Sequence, residues 1–335
     1  MDVDGIIASY RSRQSTKKAE STAYDYARIA REWAEWLGNP GTKDYDTNNR
    51  NRDAKQVWEA TAGDIRTFLR QQLDSGISGN TVQNRRWSLS TFYKELDEMS
   101  QEEGFNVPNF ENPADNLDTS DWNALKNGSK KKQELKEVYY LDPSEIDELA
   151  ENASNPKLRN ELIIRLLYQT GLRRGELAET RLEDVDTNER AIKVHATKTH
   201  LNRTVYYQPS LDTLLNRWVN VERKSLVTAG SEYLFPTFKT DQITPKQINR
   251  TVRKAADNAG LQSQVFKNAE GHNHMKVTAH VLRHSFAVQS IKNGMDTRTL
   301  QKLLGHAKIE TTERYLRLAK SDVRDAARKY GAGTE

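Results

Sequence analysis

The sequence predicts a mainly α-helical protein of two parts, the second carrying a small antiparallel sheet. Three observations predict it. Apolar residues recur at spacings of three and four along most of the chain, capping signatures and glycine breaks punctuate those stretches, and the segment 190–207 alternates as strands do. A chain of 335 residues has room for two domains, since one domain usually takes about 100–200 residues.

From Ser21 to Leu37, the residues Tyr26, Ile29, Ala30, Trp33 and Leu37 mark the inward face of an amphipathic helix that ends at Gly38-Asn39-Pro40-Gly41. A second helix starts near Thr61, turns Ile65, Phe68, Leu69 and Leu73 inward and stops at Ser75-Gly76. A third runs from Asn80 to about Met99 with Val82, Leu89, Phe92, Tyr93 and Leu96 inward and Arg85 and Arg86 outward. Residues 1–118 therefore read as a helical bundle, in which the polar, aperiodic stretch 44–53 is a surface loop. After Gln101 the pattern dissolves, and residues 119–137, with the run Lys130-Lys131-Lys132, have the composition of an interdomain linker.

The second part, residues 138–320, opens on Asp142-Pro143-Ser144-Glu145: a capping Asp, Pro at the first helical position and Glu at the third. Leu158 to Tyr168 is a strongly apolar helix closed by Gly171 as a left-handed cap. Arg190–His195 and Arg203–Tyr207 read as a β-hairpin around a polar turn that holds Lys198. Thr244-Pro245-Lys246-Gln247 opens a basic helix carrying Arg250, Arg253 and Lys254 and closing near Gly260. Three more helices, Thr278–Asn293, Asp296–Leu304 and about Glu310–Leu318, are separated by Gly294 and Gly305. A polar tail, residues 321–335, keeps Val323, Ala326, Ala327 and Tyr330 at helical spacing.

Composition narrows the classes. The absence of cysteine excludes a disulfide framework and a thiolate metal site, and points to the cytoplasm. No apolar run approaches the roughly 18 residues that cross a bilayer, and Met1–Gly5 lacks the features of a signal peptide. The net charge of +4 is uneven: residues 1–120 hold 15 Lys and Arg against 20 Asp and Glu, leaving 36 against 27 for the remainder. The basic part, suited to a polyanion, is thus the C-terminal one. Contacts of the N-terminal part with nucleic acid would have to come from local patches, Arg11, Arg13, Lys17 and Lys18, or Arg85 and Arg86.

His280 and Arg283 lie three apart on one helix and share a face. His306 follows a helix break and Tyr315 comes nine positions later, so a helix-turn-helix can bring imidazole and phenol together. Arg173, at the break after Gly171, adds a second guanidinium able to grip the same phosphate. His284 points about 100° away from Arg283 on a helix and is expected to pack or to support the site from behind. Two other histidine groups carry less: His272-Asn273-His274 falls in a polar loop after Gly271, and His195, Lys198 and His200 lack the carboxylate or thiol that would complete a metal site.

Through Thr170-Gly171-Leu172-Arg173-Arg174-Gly175-Glu176-Leu177, His280-Val281-Leu282-Arg283-His284, Leu304-Gly305-His306 and Tyr315, the chain resembles the tyrosine recombinase (integrase) family, including Xer-type recombinases and phage integrases. The similarity spans about Val138 to Leu318. A weaker one, through Asn80–Tyr93 and Asn112-Pro113-Ala114, is to the family's core-binding domain. The resemblance implies a helical core-binding (SAM-like) bundle followed by an α-rich catalytic domain with a small antiparallel sheet. It implies site-specific cleavage and rejoining of double-stranded DNA, without metal, ATP or other cofactor, through a 3′-phosphotyrosyl intermediate in a tetramer on DNA.

Carried onto this sequence, the resemblance makes Tyr315 the nucleophile and gives Arg173 and Arg283 the charge of the transition state. Lys198 would protonate the 5′-oxygen, His280 would help move the tyrosine proton, His306 would hydrogen-bond a non-bridging oxygen, and Glu176 would orient the site. The family turn usually reads Gly-Lys and a basic run ending in Arg; here it is Thr197-Lys198-Thr199-His200-Leu201-Asn202-Arg203. DNA contacts are expected from Arg85 and Arg86 and from Lys246, Gln247, Asn249, Arg250 and Arg253, and the tail is expected to dock on a neighbouring protomer. The alternatives are relaxation of DNA in the manner of a type IB topoisomerase, and a catalytically silent DNA-binding protein of the same fold.

Overall fold

The computed structural model describes residues 2–42, 52–105, 107–115, 117–119, 122, 138–195, 202–267 and 273–319. It divides into two compact units, with the break between Lys136 and Glu137. Most of the proposed loop at 44–53 and of the 119–137 linker, together with Lys198 and the 321–335 tail, lies outside the described residues. No described helix is long and apolar enough to cross a membrane.

The N-terminal unit holds α1 (Val3–Lys17), α2 (Glu20–Gly38), α3 (Ala62–Asp74) and α4 (Gly79–Ser100). Asp2 caps α1 by accepting from the Gly5 amide, and α3 starts on a reciprocal Thr61–Asp64 capping box. The core is aromatic: Trp33 and Trp36 stack at 5.3 Å, and Phe68 meets both rings edge-on. Two of its buried polar side chains are linked in a chain, Trp33 Nε1 donating to Tyr93 Oη at 2.7 Å and Tyr93 Oη donating to the Val57 carbonyl at 2.8 Å.

Two expectations for this unit are corrected. The helix α1 was not foreseen, because its inward residues Ile6, Ile7, Tyr10 and Gln14 make a narrow stripe with a polar member. Arg85, expected to lean outward, is 4% exposed and paired with Glu32 at 2.9 Å. Burial of a guanidinium requires such a partner, so Arg85 holds α4 to α2 instead of facing a ligand. Arg86, half-buried, donates to the Leu117 carbonyl. The cations of α1 are also matched, Arg13 by Glu102 and Lys17 by Glu95.

The second unit holds α5 (Pro143–Glu151), α6 (Lys157–Thr170), α7 (Arg174–Glu179), β1 (Val185–Asp186), β2 (Ala191–Val194), β3 (Arg203–Tyr206), α8 (Asp212–Arg217), α9 (Pro245–Asn258), β4 (Gln264–Lys267), β5 (Asn273–Met275), α10 (Ala279–Lys292), α11 (Thr297–Leu304) and α12 (Glu310–Ala319). The helix α6 is buried along most of its length because Leu162, Ile163, Ile164, Leu166 and Leu167 cover more than one face; α10 packs on it and adds Val281 and Leu282 to the same apolar core. The sheet β1-β2-β3 is antiparallel throughout, with Ile192 opposite Val205 and Val194 opposite Arg203.

The expected hairpin and helices are present, with boundaries within two residues of those read from the sequence. Strands β4 and β5 are a correction: Asn273 and His274, expected in a loop, belong to a second antiparallel pair. Short strands of polar composition have no periodicity to betray them.

Tyr93→Phe should remove the hydroxyl that satisfies both Trp33 Nε1 and the Val57 carbonyl. A loss of roughly 2 kcal/mol or more is expected, since two buried polar groups are orphaned; a urea midpoint equal to that of the wild type would contradict the arrangement.

Candidate active site

Three guanidiniums meet the last carbonyls of α11. Arg203 Nε donates to Leu303 O at 2.6 Å, Arg283 Nη2 to Leu304 O at 2.7 Å and Arg173 Nη2 to Gly305 O at 3.2 Å. The end of a helix leaves carbonyls without intrahelical partners and carries partial negative charge, so it can hold several cations. Each arginine comes from a different element: Arg173 precedes α7, Arg203 begins β3 and Arg283 sits within α10.

Glu176 is the second counterion. Its Oε1 accepts from Arg173 Nη1 at 2.8 Å and Arg203 Nη1 at 3.0 Å, and its Oε2 from Arg203 Nη2 at 2.8 Å and the Arg173 amide at 2.7 Å. Burial alone would raise the carboxyl's pKa, but the hydrogen bonds and charge of Arg203, with those of Arg173, hold it below the usual range. The four accepted bonds give this carboxylate the partners that a buried charge requires.

Arg283 is 1% exposed, and its Nη1 also donates to the Gly171 carbonyl at 2.6 Å. Burial and then the charge of Arg173 lower its pKa to about 9, which leaves it cationic at neutral pH. The turn that offers the Gly171 carbonyl needs glycine twice over: φ is +63°, and a Cβ would lie 2.4 Å from Phe286 Cδ1. A guanidinium has five N–H groups, so the bonds described leave donors on Arg283 and on Arg173, whose side chain is 38% exposed.

Tyr315, on α12, is 2% exposed and packs against Ala287, Val288, Leu300 and Leu304. Its hydroxyl shares a hydrogen bond with His284 Nδ1 at 2.8 Å. Burial pushes the phenol pKa up, while Arg283, Arg314 and Arg173 pull it down. The His306 ring lies nearly parallel to that of Tyr315, 6.4 Å between centroids, with Nδ1 bonded to Thr312 Oγ1 at 3.0 Å. His280 sits edge-on to His284 at 4.2 Å and keeps an exposed face.

Loss of solvation, reinforced by the surrounding cations, lowers the pKa of all three imidazoles, those of His284 and His306 to about 3. They are neutral at pH 7 and serve as hydrogen-bonding groups, with the arginines carrying the charge.

The second unit thus gathers Tyr315, Arg173, Arg283, His280, His306 and Glu176 into one place. The residue that touches the phenol hydroxyl is His284, expected only to pack or support, and not His280. Arg203 was missed as a site residue, although it ends the basic turn in the sequence; nothing local revealed that its guanidinium reaches back to Glu176.

The expected DNA-contacting set divides. Lys246 and Arg250 are exposed on α9. Gln247 Oε1 instead closes the capping box with the Thr244 amide, and Asn249 Oδ1 accepts from the Ala279 amide at 3.0 Å, fixing the start of α10 beside His280. Arg253 is half-buried. His195, weighed above as a metal ligand, pairs with Asp184 at 2.8 Å; among the described residues no group of three His, Cys, Asp or Glu could hold a metal ion.

Comparisons with known proteins bear on the family and the fold. Residues 139–322 match the model of the phage integrase family. The chain is 32% identical over 192 residues to tyrosine recombinase XerA of Pyrococcus furiosus, covering 56% of this chain but only 60% of that relative. It is 26% identical over 278 residues to tyrosine recombinase XerC of Anoxybacillus flavithermus, covering 81% and 82%. In fold it is similar to XerH site-specific recombinase bound to palindromic difH substrate, with a TM-score of 0.64 and 20% identity over 93% of this chain and 80% of that one. The lambda integrase dimer bound to a COC′ core site gives a TM-score of 0.62 at 16% identity over 96% and 79%.

Arg203→Met should leave Glu176 buried with half of its partners and cost roughly 3 kcal/mol. The sign with pH follows from a depressed folded-state pKa. Stabilisation by Glu176 is complete above the unfolded value near 4.5 and is lost as pH falls through the lower folded value. Denaturation curves of the two proteins should therefore converge below about pH 4; a gap that does not narrow would contradict the pairing.

Proposed function

The chain belongs to the phage integrase family, and we propose that it is a site-specific recombinase that cuts and rejoins DNA through Tyr315. The observation that carries this reading is a phenol hydroxyl set among imidazoles and two arginines, Arg173 and Arg283, that keep unused donors. Tyr315 Oη attacks a phosphodiester, giving a 3′-phosphotyrosyl enzyme and a free 5′-hydroxyl. Arg173 and Arg283 stabilise the charge that builds on the phosphorane-like transition state. Lys198 protonates the leaving 5′-oxygen, His306 bonds a non-bridging oxygen, His280 helps to move the tyrosine proton through the imidazole it adjoins, and Glu176 fixes the angle of Arg173 through four hydrogen bonds shared with Arg203. The covalent intermediate keeps the energy of the broken bond, so rejoining needs no nucleotide cofactor.

The N-terminal unit, residues 1–118, is read as a second DNA-holding domain. The exposed cations Lys246 and Arg250 of α9 supply backbone contacts, which set affinity and salt dependence more than sequence choice. The reaction takes place in a tetramer on two sites, with residues 321–335 docked on a neighbouring protomer and the protein acting in the cytoplasm.

A nicked suicide duplex carrying the target site should trap a covalent adduct with the wild type and none with Tyr315→Phe. Arg173→Ala and Arg283→Ala should each slow trapping by ~10²–10³, the usual effect of losing one transition-state donor. An equal adduct from Tyr315→Phe would refute the reading. Deletion of residues 321–335 should reduce the synaptic complex on native gels more than it reduces duplex affinity, and an unchanged complex would remove the tail from assembly.

A further inference from the structure

We propose that His284 is the group that accepts the Tyr315 proton during cleavage. The inference rests on Tyr315 being the nucleophile. His284 Nδ1 lies 2.8 Å from the hydroxyl oxygen, at hydrogen-bond length, with the two rings tilted by 50°. Residues 284 and 280 are one turn apart on α10, but α12 packs so that the phenol reaches the second imidazole; His280 meets only the edge of the His284 ring.

His284 is suited to the task by its surroundings. The titratable groups that face it are His280 and Arg283 on α10, Tyr315 and Arg314 on α12, and His306 in the turn after α11. All of the charged ones are cationic, and they oppose a proton on the ring, so the imidazole rests neutral with a lone pair for the hydroxyl. A phosphate gripped by Arg173 and Arg283 would add negative charge to the same pocket. It would raise the proton affinity of His284 just when the hydroxyl is attacking.

The step balances. The Tyr315 Oη–P bond forms as P–O5′ breaks; the hydroxyl proton moves to His284 Nδ1, and the 5′-oxygen takes its proton from the ammonium assigned to Lys198. In rejoining, the 5′-hydroxyl gives its proton back to the Lys198 amine and attacks phosphorus, the Oη–P bond breaks, and the His284 imidazolium returns its proton to Oη.

The test uses single-turnover trapping of the full chain on the nicked suicide duplex between pH 5 and 9. It compares the wild type with His284→Asn and His284→Ala, alongside duplex affinity and thermal melting. Asn places an amide where Nδ1 stood and preserves a hydrogen bond to the phenol, but it cannot take a proton. Should His284→Ala fail to fold, His284→Asn still decides the matter.

The expected result is a rate lower by ~10²-fold or more in His284→Asn, the range for loss of a general base, with duplex affinity unchanged. A duplex with sulfur at the 5′-bridging position, whose leaving group needs no proton, should not restore the rate. A wild-type rate and profile in His284→Asn would overturn the proposal, as would full recovery on the sulfur substrate, which would place His284 on the leaving-group side. Absence of any adduct with the wild type would refute the strand-transfer reading itself, and the proposal with it.

Discussion

The C-terminal end of α11 is the constraint on which the site depends. Three guanidiniums held together with no counter-charge would repel one another, at about 4 kcal/mol per pair at 4 Å in a medium of effective dielectric near 20. The carbonyls of Leu303, Leu304 and Gly305, together with the Glu176 carboxylate, turn that repulsion into a lattice of hydrogen bonds. Through it the break after α6, the start of β3, the middle of α10 and the end of α11 are tied to one another. Gly305 is part of the requirement: it closes α11 at φ +63°, and a Cβ there would sit 3.0 Å from Arg203 Nη1.

Charge and proton handling are divided between residue types for a physical reason. An arginine buried like Arg283 remains protonated, whereas an imidazole in the same pocket loses its proton long before neutrality. The pocket therefore presents fixed positive charge through Arg173 and Arg283, and uncharged hydrogen-bonding groups through His280, His284 and His306. Asn249 contributes without entering the pocket, because its bond to the Ala279 amide anchors the turn of α10 that carries His280.

Helices were legible wherever a broad apolar stripe met a cap, as at Thr61, Asp142 and Thr244, since both signals act over a few residues. The helix α1, with its narrow stripe, and the polar strands β4 and β5 were not. The residue types at Arg173, His280, Arg283, His306 and Tyr315 were legible as a set, and the structure places them together. Pairings across the chain were not: Arg203 with Glu176 joins a strand to a helix, and His284 with Tyr315 joins two helices. Helical spacing shows which residues share a face, but it does not show which face another helix will cover. For the same reason Arg85 and Arg86 read as solvent cations, although Glu32 and the Leu117 carbonyl receive them.

The burial of Tyr315 separates two questions that a DNA-modifying protein must answer: where to sit and whether to cut. With the phenol 2% exposed and its hydroxyl engaged by His284, a phosphate held only by the exposed cations would not meet the hydroxyl that we propose as the nucleophile. The packing of α12 against α10 and α11 thus sets which groups reach the phenol, and admits the His284 imidazole while keeping bulk solvent from the ring.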